Sequence, residues 1–171
     1  MTCPICQHEH NWTLEDALDR LAKGPATIRQ AMAQAIPEEL HWKPAPNKWS
    51  VQQVAVHLLD TEMVYGVRIR KILAEDNPPL IAYEQDLWAE HCTEGRTAGG
   101  NVERVLQALE LLRADNVDLF RASLTRLGRT GQHPQYGALS ARDLIMHLSP
   151  HDEKHAGQIQ RVRQAYMDTT R

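Results

Sequence analysis

Apolar residues recur along this chain at helical spacing. After Thr13, the positions Leu14, Ala17, Leu18, Leu21 and Ala22 share one face, and Asp16 three residues beyond Thr13 completes a capping pair that predicts a first helix. Gly24-Pro25 either kinks this helix or breaks it in two, because proline lacks the backbone donor and crowds the preceding turn. The apolar face resumes at Ile28, Ala31, Met32 and Ala35. PEELHWKPAPNKW holds three prolines and an asparagine, which predicts a connection and not an element. Ser50 caps a second long helix from Val51 to about Leu73, with Val54, Leu58, Met63 or Tyr65, Val67 and Ile72 in a drifting stripe. AEDNPPLIAYEQDLWAEHCTEGRTAGG reads as a long connection ending in Gly99-Gly100, with EQDLWAEH as a short helix inside it. From Asn101 a third long helix places Val105, Leu106, Leu109, Leu112, Val117, Phe120 and Leu124 at core spacing. GRTGQHPQYGAL reads as a loop. Ser140 with Asp143 then caps a last helix that runs to about Met167.

No stretch alternates with the period of a strand, and no internal repeat is present. Four long helices imply an all-α fold, a four-helix bundle over residues 13–168, preceded by an N-terminal Cys/His tail at 1–12 whose simplest state is flexible. The longest connections precede the second and third helices, so up-down-up-down order does not follow from the pattern. A chain of 171 residues is long enough to bury one core without staples. Its net charge of −3, from 19 basic and 22 acidic residues, leaves no basic stripe of the nucleic-acid kind. No membrane-span-length apolar run or signal-like leader is visible, so a cytoplasmic protein with a small-molecule partner, and no membrane or nucleic-acid partner, is expected. Three cysteines are too few and too odd for a disulfide framework.

Histidine is the compositional excess, with nine residues. His147, His151 and His155 recur every fourth position in RDLIMHLSPHDEKHAGQIQRV, within roughly 80° of helical arc. His151 and His155 form an H-x-x-x-H pair able to aim two ring nitrogens at one ion, although such a pair is equally at home on a solvated face. His57 lies among Val54, Val56 and Leu58 on the buried side of the second helix, where either a backbone carbonyl or an ion has to satisfy it. Inward side chains from facing helices are how bundles build metal sites, and His57 with the last-helix pair would make a three-histidine centre with open positions. Pro150 either bends the last helix, freeing the carbonyl of Met146, or restarts it with Asp152 and Glu153 in the first turn.

PNKWSVQQVAVHLLDTE, which contains His57, resembles the first motif of the DinB/YfiT-like metalloenzymes, and HLSPHDEKHAGQI resembles their closing motif. AIPEELHWKPAP, LIAYEQDLWAE and YGALSARDLIMHL fit the same pattern, so the likeness spans roughly residues 14–167; each motif is short, and their order and spacing carry the specificity. The resemblance implies a four-helix bundle holding one divalent transition metal, usually zinc or nickel, on His57, His151 and His155, with His147 outside the triad. It further implies a low-molecular-weight thiol as cosubstrate of an S-transferase or isomerase in some members, hydrolysis in others, and frequent homodimers. A thiol S-transferase acting on small electrophiles is the leading expectation. The alternatives are a metal-dependent hydrolase, a metal-binding bundle without turnover, and a bundle of buried histidines with no ion.

Around the triad, Gln158 shares the face of His151 and His155 and is placed to orient a ligand or substrate, unless it is an ordinary interface amide. Asp60, three residues after His57, is the better placed of Asp60 and Glu62 to take a proton or bond a ligand imidazole, against the simpler reading of both as solvated carboxylates. Arg68, almost in line with His57, could meet a substrate carboxylate three turns away. Cys3-x-x-Cys6 is half of a zinc knuckle that His8 and His10, or the distant His91 and Cys92, could complete.

Overall fold

The structure is a computed structural model that describes residues 2–98 and 101–170; the Gly99-Gly100 end of the long connection lies outside the described residues. Local signals place the starts of three helices. Thr13 and Asp16 form a reciprocal capping box on α1 (Leu14–Ala31), Ser50 and Gln53 one on α3 (Val51–Ala74), and Ser140 and Asp143 one on α6 (Ala141–Leu148). Between α1 and α3 lies α2 (Pro37–His41), a helix where a bare connection is expected; its proline occupies a first-turn position, where the missing N–H has no role. The short helix α4 is Gln85–His91, and α5 is Glu103–Ala122.

The loop expected after α5 is instead an antiparallel hairpin, β1 (Thr130–His133) with β2 (Gly137–Ser140). TGQH and GALS carry little apolar alternation, so their pairing depends on long-range contacts: Leu139 is fully buried, and Gln132 exchanges backbone bonds with Pro78 and Leu80. Gly137 takes φ 70° at the turn, where a side chain would be strained.

Helix α1 runs unbroken through Pro25. The carbonyl that a proline strips of its helical donor is that of Leu21, four residues earlier, and it accepts from Arg113 Nη1 at 2.8 Å. Pro150 does separate two helices. Helix α7 (His151–Thr169) restarts immediately after it, with Asp152 and Glu153 in the first turn. Here the freed carbonyl of Met146 accepts from Ser149 Oγ at 3.0 Å.

Helix α1 packs on α5 and α7, and α3 packs on α5, α6 and α7, which makes a four-helix bundle whose fourth corner is shared by α6 and α7. Helix α3 is buried almost all round. Apolar packing falls into two clusters, one around Leu18, Leu21, Ile69, Phe120 and Leu144, the other around Ile28, Val54, Leu58, Leu109 and Ile159. The N-terminal segment is not a loose tail: Cys3 is buried, Ile5 and Trp12 pack on the first cluster, and Trp12 Nε1 donates to Ser149 Oγ at 3.1 Å. No helix among the described residues is long and apolar enough to cross a membrane.

Candidate metal centre

Helix α3 presents His57, while the restart of α7 puts His151 in its first position and His155 one turn on. Their side chains meet. His57 Nε2 lies 3.4 Å from His151 Nε2, which lies 3.2 Å from His155 Nε2, and one ring nitrogen from each of the three falls within 4.8 Å of the others. Metal–nitrogen bonds of about 2.0–2.1 Å in a tetrahedron put neighbouring nitrogens about 3.3 Å apart, so this spacing suits one ion. His57 and His155 are buried, and burial is the first cause lowering all three pKa values, that of His57 to about 3. Each imidazole is therefore neutral at physiological pH, the form that binds metals.

The surroundings fix ring orientation. His155 Nδ1 donates to Gln158 Oε1 at 2.8 Å, leaving its Nε2 lone pair facing the other two rings. Thr61 Oγ1 sits 3.4 Å from His57 Nε2 and 2.8 Å from Tyr83 Oη, and the Trp49 ring lies 4.7 Å from that of His57. Among the described residues, His57 Nδ1 and His151 Nδ1 are buried without a hydrogen-bond partner. Two adjoining cavities reach the cluster. The larger, about 950 Å³, is lined by His151, His155, Gln158, Trp49, Lys154 and the N-terminal segment; the smaller, about 340 Å³, by His57, Thr61, Tyr83 and Arg68 among others.

The expected site residues divide. His57, His151, His155 and Gln158 come together, whereas Asp60 Oδ1 pairs with Arg96 Nη1 and its other oxygen meets no donor among the described residues, so this carboxylate holds the turn after α4 in place of an imidazole. Neither Asp60 nor Glu62 is solvated; both are about 1% exposed, and Glu62 accepts from Arg113 and Asn116. Arg68 Nε and Nη2 donate to the Ile81 carbonyl, and its guanidinium lies over the Tyr65 ring. His147 turns away from the triad to within 3.4 Å of Cys3 Sγ. His91 and Cys92 close α4 and belong to neither cluster of candidate ligands among the described residues. Thr61 and Trp49 are missed by the sequence reading, although Thr61 stands one helical turn after His57 and so shares its face.

A family model described as the DinB superfamily matches residues 20–159. A protein of Oceanobacillus iheyensis named as a candidate metal-dependent hydrolase is 25% identical over 150 residues, covering 87% of this chain and 85% of the other. A Bacillus cereus protein named in the same way is 29% identical over 116 residues, 67% of this chain and 65% of that one, a little under two thirds of its length. In fold, the chain superposes on YfiT from Bacillus subtilis with a TM-score of 0.81 at 21% identity, covering 95% of both chains; that protein is described as a candidate metal-dependent hydrolase with an unusual four-helix bundle topology.

Proposed function

Because the chain belongs to the DinB superfamily, we propose that it is a metal-dependent enzyme in which His57, His151 and His155 hold one divalent transition metal, zinc or nickel, and a low-molecular-weight thiol is transferred to a small electrophile. The observation that carries this reading is the convergence of three neutral ring nitrogens beside a cavity of about 950 Å³. Three uncharged ligands leave the ion its full charge and vacant positions, so a thiol or water held there would lose its proton near neutral pH. The chain's own residues would do the rest. Gln158 keeps His155 in the tautomer that ligates, Trp49 packs against the His57 ring, and Lys154 on the cavity wall favours a developing anion.

The carboxylates flanking the ligands are engaged with arginines, Asp60 Oδ1 with Arg96 and Glu62 and Asp152 with Arg113, so deprotonation of a thiol or water held at the triad would fall to the ion itself. Hydrolysis is the second reading, supported by the names of the relatives. Gln158 acts in either case as a positioning residue, and a homodimer handling a small molecule is part of the same proposal.

Metal analysis of reconstituted protein tests the centre: His151→Ala should lose the ion held by the triad, and undiminished metal in that variant would overturn the assignment. Panels of thiols with an electrophile, against esters and amides without a thiol, separate the two reactions. Thiol-dependent turnover by the unaltered protein that vanishes in His151→Ala is the expected result; turnover of esters or amides alone would favour hydrolysis.

A further inference from the structure

The N-terminal CPICQHEH, which the triad does not use, folds into a tight loop. Thr2 and Glu9 form an antiparallel bridge, Cys3 N donates to His8 O and Gln7 N to Cys3 O at 2.9 Å each, and Gln7 adopts φ 58°. Burial pushes the Cys3 thiol up, and the backbone N–H groups of Cys6 and Ile5 act against it in favour of the thiolate. A C-x-x-C loop of this shape turns both sulfurs to one side and offers amide donors to thiolate charge, as metal-binding knuckles require.

The side chains gathered there are a ligand set. One atom each of Cys3, Cys6 and His10 lies within 4.8 Å of the others, with Cys6 Sγ 3.9 Å from His10 Nε2. From α6, His147 brings Nδ1 to 3.4 Å from Cys3 Sγ. Zinc–sulfur bonds of about 2.3 Å and zinc–nitrogen bonds of about 2.0 Å give sulfur–nitrogen edges of about 3.5 Å in a tetrahedron, so Cys3–His147 already matches and Cys6–His10 is slightly open. Cys3 is 3% exposed and His10 6%, unusual depths for a thiol and an imidazole in so short a terminal loop.

We propose that Cys3, Cys6, His10 and His147 bind a second metal ion, a zinc in a closed Cys2His2 site that pins the N-terminal segment to α6. Two thiolates balance the zinc charge and four protein ligands fill its shell, which makes this centre structural, in contrast to the open three-histidine one. It also has a task. Ile5, His8 and Trp12 wall the larger cavity beside His151, so a zinc at the root of that loop fixes one side of the substrate space. His147, left over from the run of three histidines, thereby acquires a partner set of its own.

The test is metal content and cobalt spectroscopy on the full chain, purified under reducing conditions and reconstituted with zinc or cobalt(II). Unaltered protein should bind two zinc ions per chain, and its cobalt form should show a thiolate-to-cobalt charge-transfer band. Cys3→Ser/Cys6→Ser should lose one equivalent and that band; His57→Ala/His151→Ala should lose the other equivalent and keep the band. His147→Ala should weaken the cobalt bound by the cysteines at least tenfold in competition with a chelator. Absence of the band in unaltered, reduced protein, or a full second equivalent in the cysteine double variant, would overturn the proposal. The band in unaltered protein does not depend on whether any variant folds, and its survival in the histidine double variant separates this site from the triad.

Discussion

Burial pushes His57 down to about 3 and His147 to about 4, and it lowers His151 and His155 as well, so the folded chain keeps these imidazoles neutral where an unfolded chain would protonate them. Below the ordinary histidine pKa of about 6.5 the unfolded state therefore binds more protons than the folded one, and stability falls with pH from there toward about 3. Above that range the contribution is whole. Between pH 7.5 and pH 5 the metal-free protein should lose about 2 kcal/mol through His57 alone, on the scale of about 1.4 kcal/mol per pH unit. Urea unfolding at the two pH values reads this directly, and equal midpoints would show that the histidine cluster is hydrated, not desolvated. Added zinc should steepen the loss, since acid and metal compete for the same ring nitrogens.

A single arginine links the helices that carry the ligands. Arg113 of α5 is 2% exposed, with Nε 2.6 Å from Glu62 on α3 and Nη1 2.6 Å from Asp152 on α7, and the same Nη1 donates to the Leu21 carbonyl of α1. Glu62 and Asp152 flank His57 and His151 in sequence, so this cluster sets how far α3 and α7 slide past each other, and with it the spacing of the three nitrogens. Gly24 makes room for it: a β-carbon there would stand 1.8 Å from Asp152 Oδ2. Gly24→Ala should therefore push Asp152 off Arg113 and destabilise by about 3–5 kcal/mol, the scale of breaking a buried ion pair. Metal affinity should drop with it. A variant with an unchanged urea midpoint would mean that α1 yields locally and the cluster survives. None of this is visible in Gly24-Pro25 as a sequence, which reads as a kink or break, because its reason lies at positions 62, 113 and 152. What was legible was local or strongly periodic: the caps at Thr13, Ser50 and Ser140, the apolar stripes, and the short α4. The hairpin was not, since four polar-leaning residues per strand become a pair only when Leu139 finds the core. The site lies between these cases. His151 and His155 announce themselves by spacing, but His57 is 94 residues from His151 and joins them in a sequence reading only through its apolar neighbours and the motif resemblance.

Across the whole molecule, the two apolar clusters are separated by a polar layer. On α1 the change from one cluster to the other falls between Leu21 and Ile28, around Gly24; on α3 between Leu59 and Tyr65, around Asp60 and Glu62; on α5 between Leu109 and Val117, around Arg113 and Asn116. The fourth corner changes between Leu148 of α6 and Ala156 of α7, where His151, Asp152 and His155 lie. His151 and His155 thus belong to the middle layer, where they meet His57 from the α3 stretch of the second cluster, and both clusters are built of apolar side chains that need no ion to pack. Removing metal from the triad should leave the bundle folded at room temperature and lower only its melting point. Free ion at about a hundredfold over Kd contributes about 2.7 kcal/mol by mass action. At about 2–4 °C per kcal/mol for a domain of this size, that corresponds to about 5–11 °C. Circular dichroism melts with and without a chelator, run on Cys3→Ser/Cys6→Ser so that one centre alone contributes, check this. Collapse of helicity at room temperature on chelation would make the ion part of the fold and favour a bundle without turnover. Unchanged helicity with a shift of that size is what an open, reactive centre in a self-sufficient scaffold requires, because coordination positions left vacant for a substrate add nothing to holding the helices together.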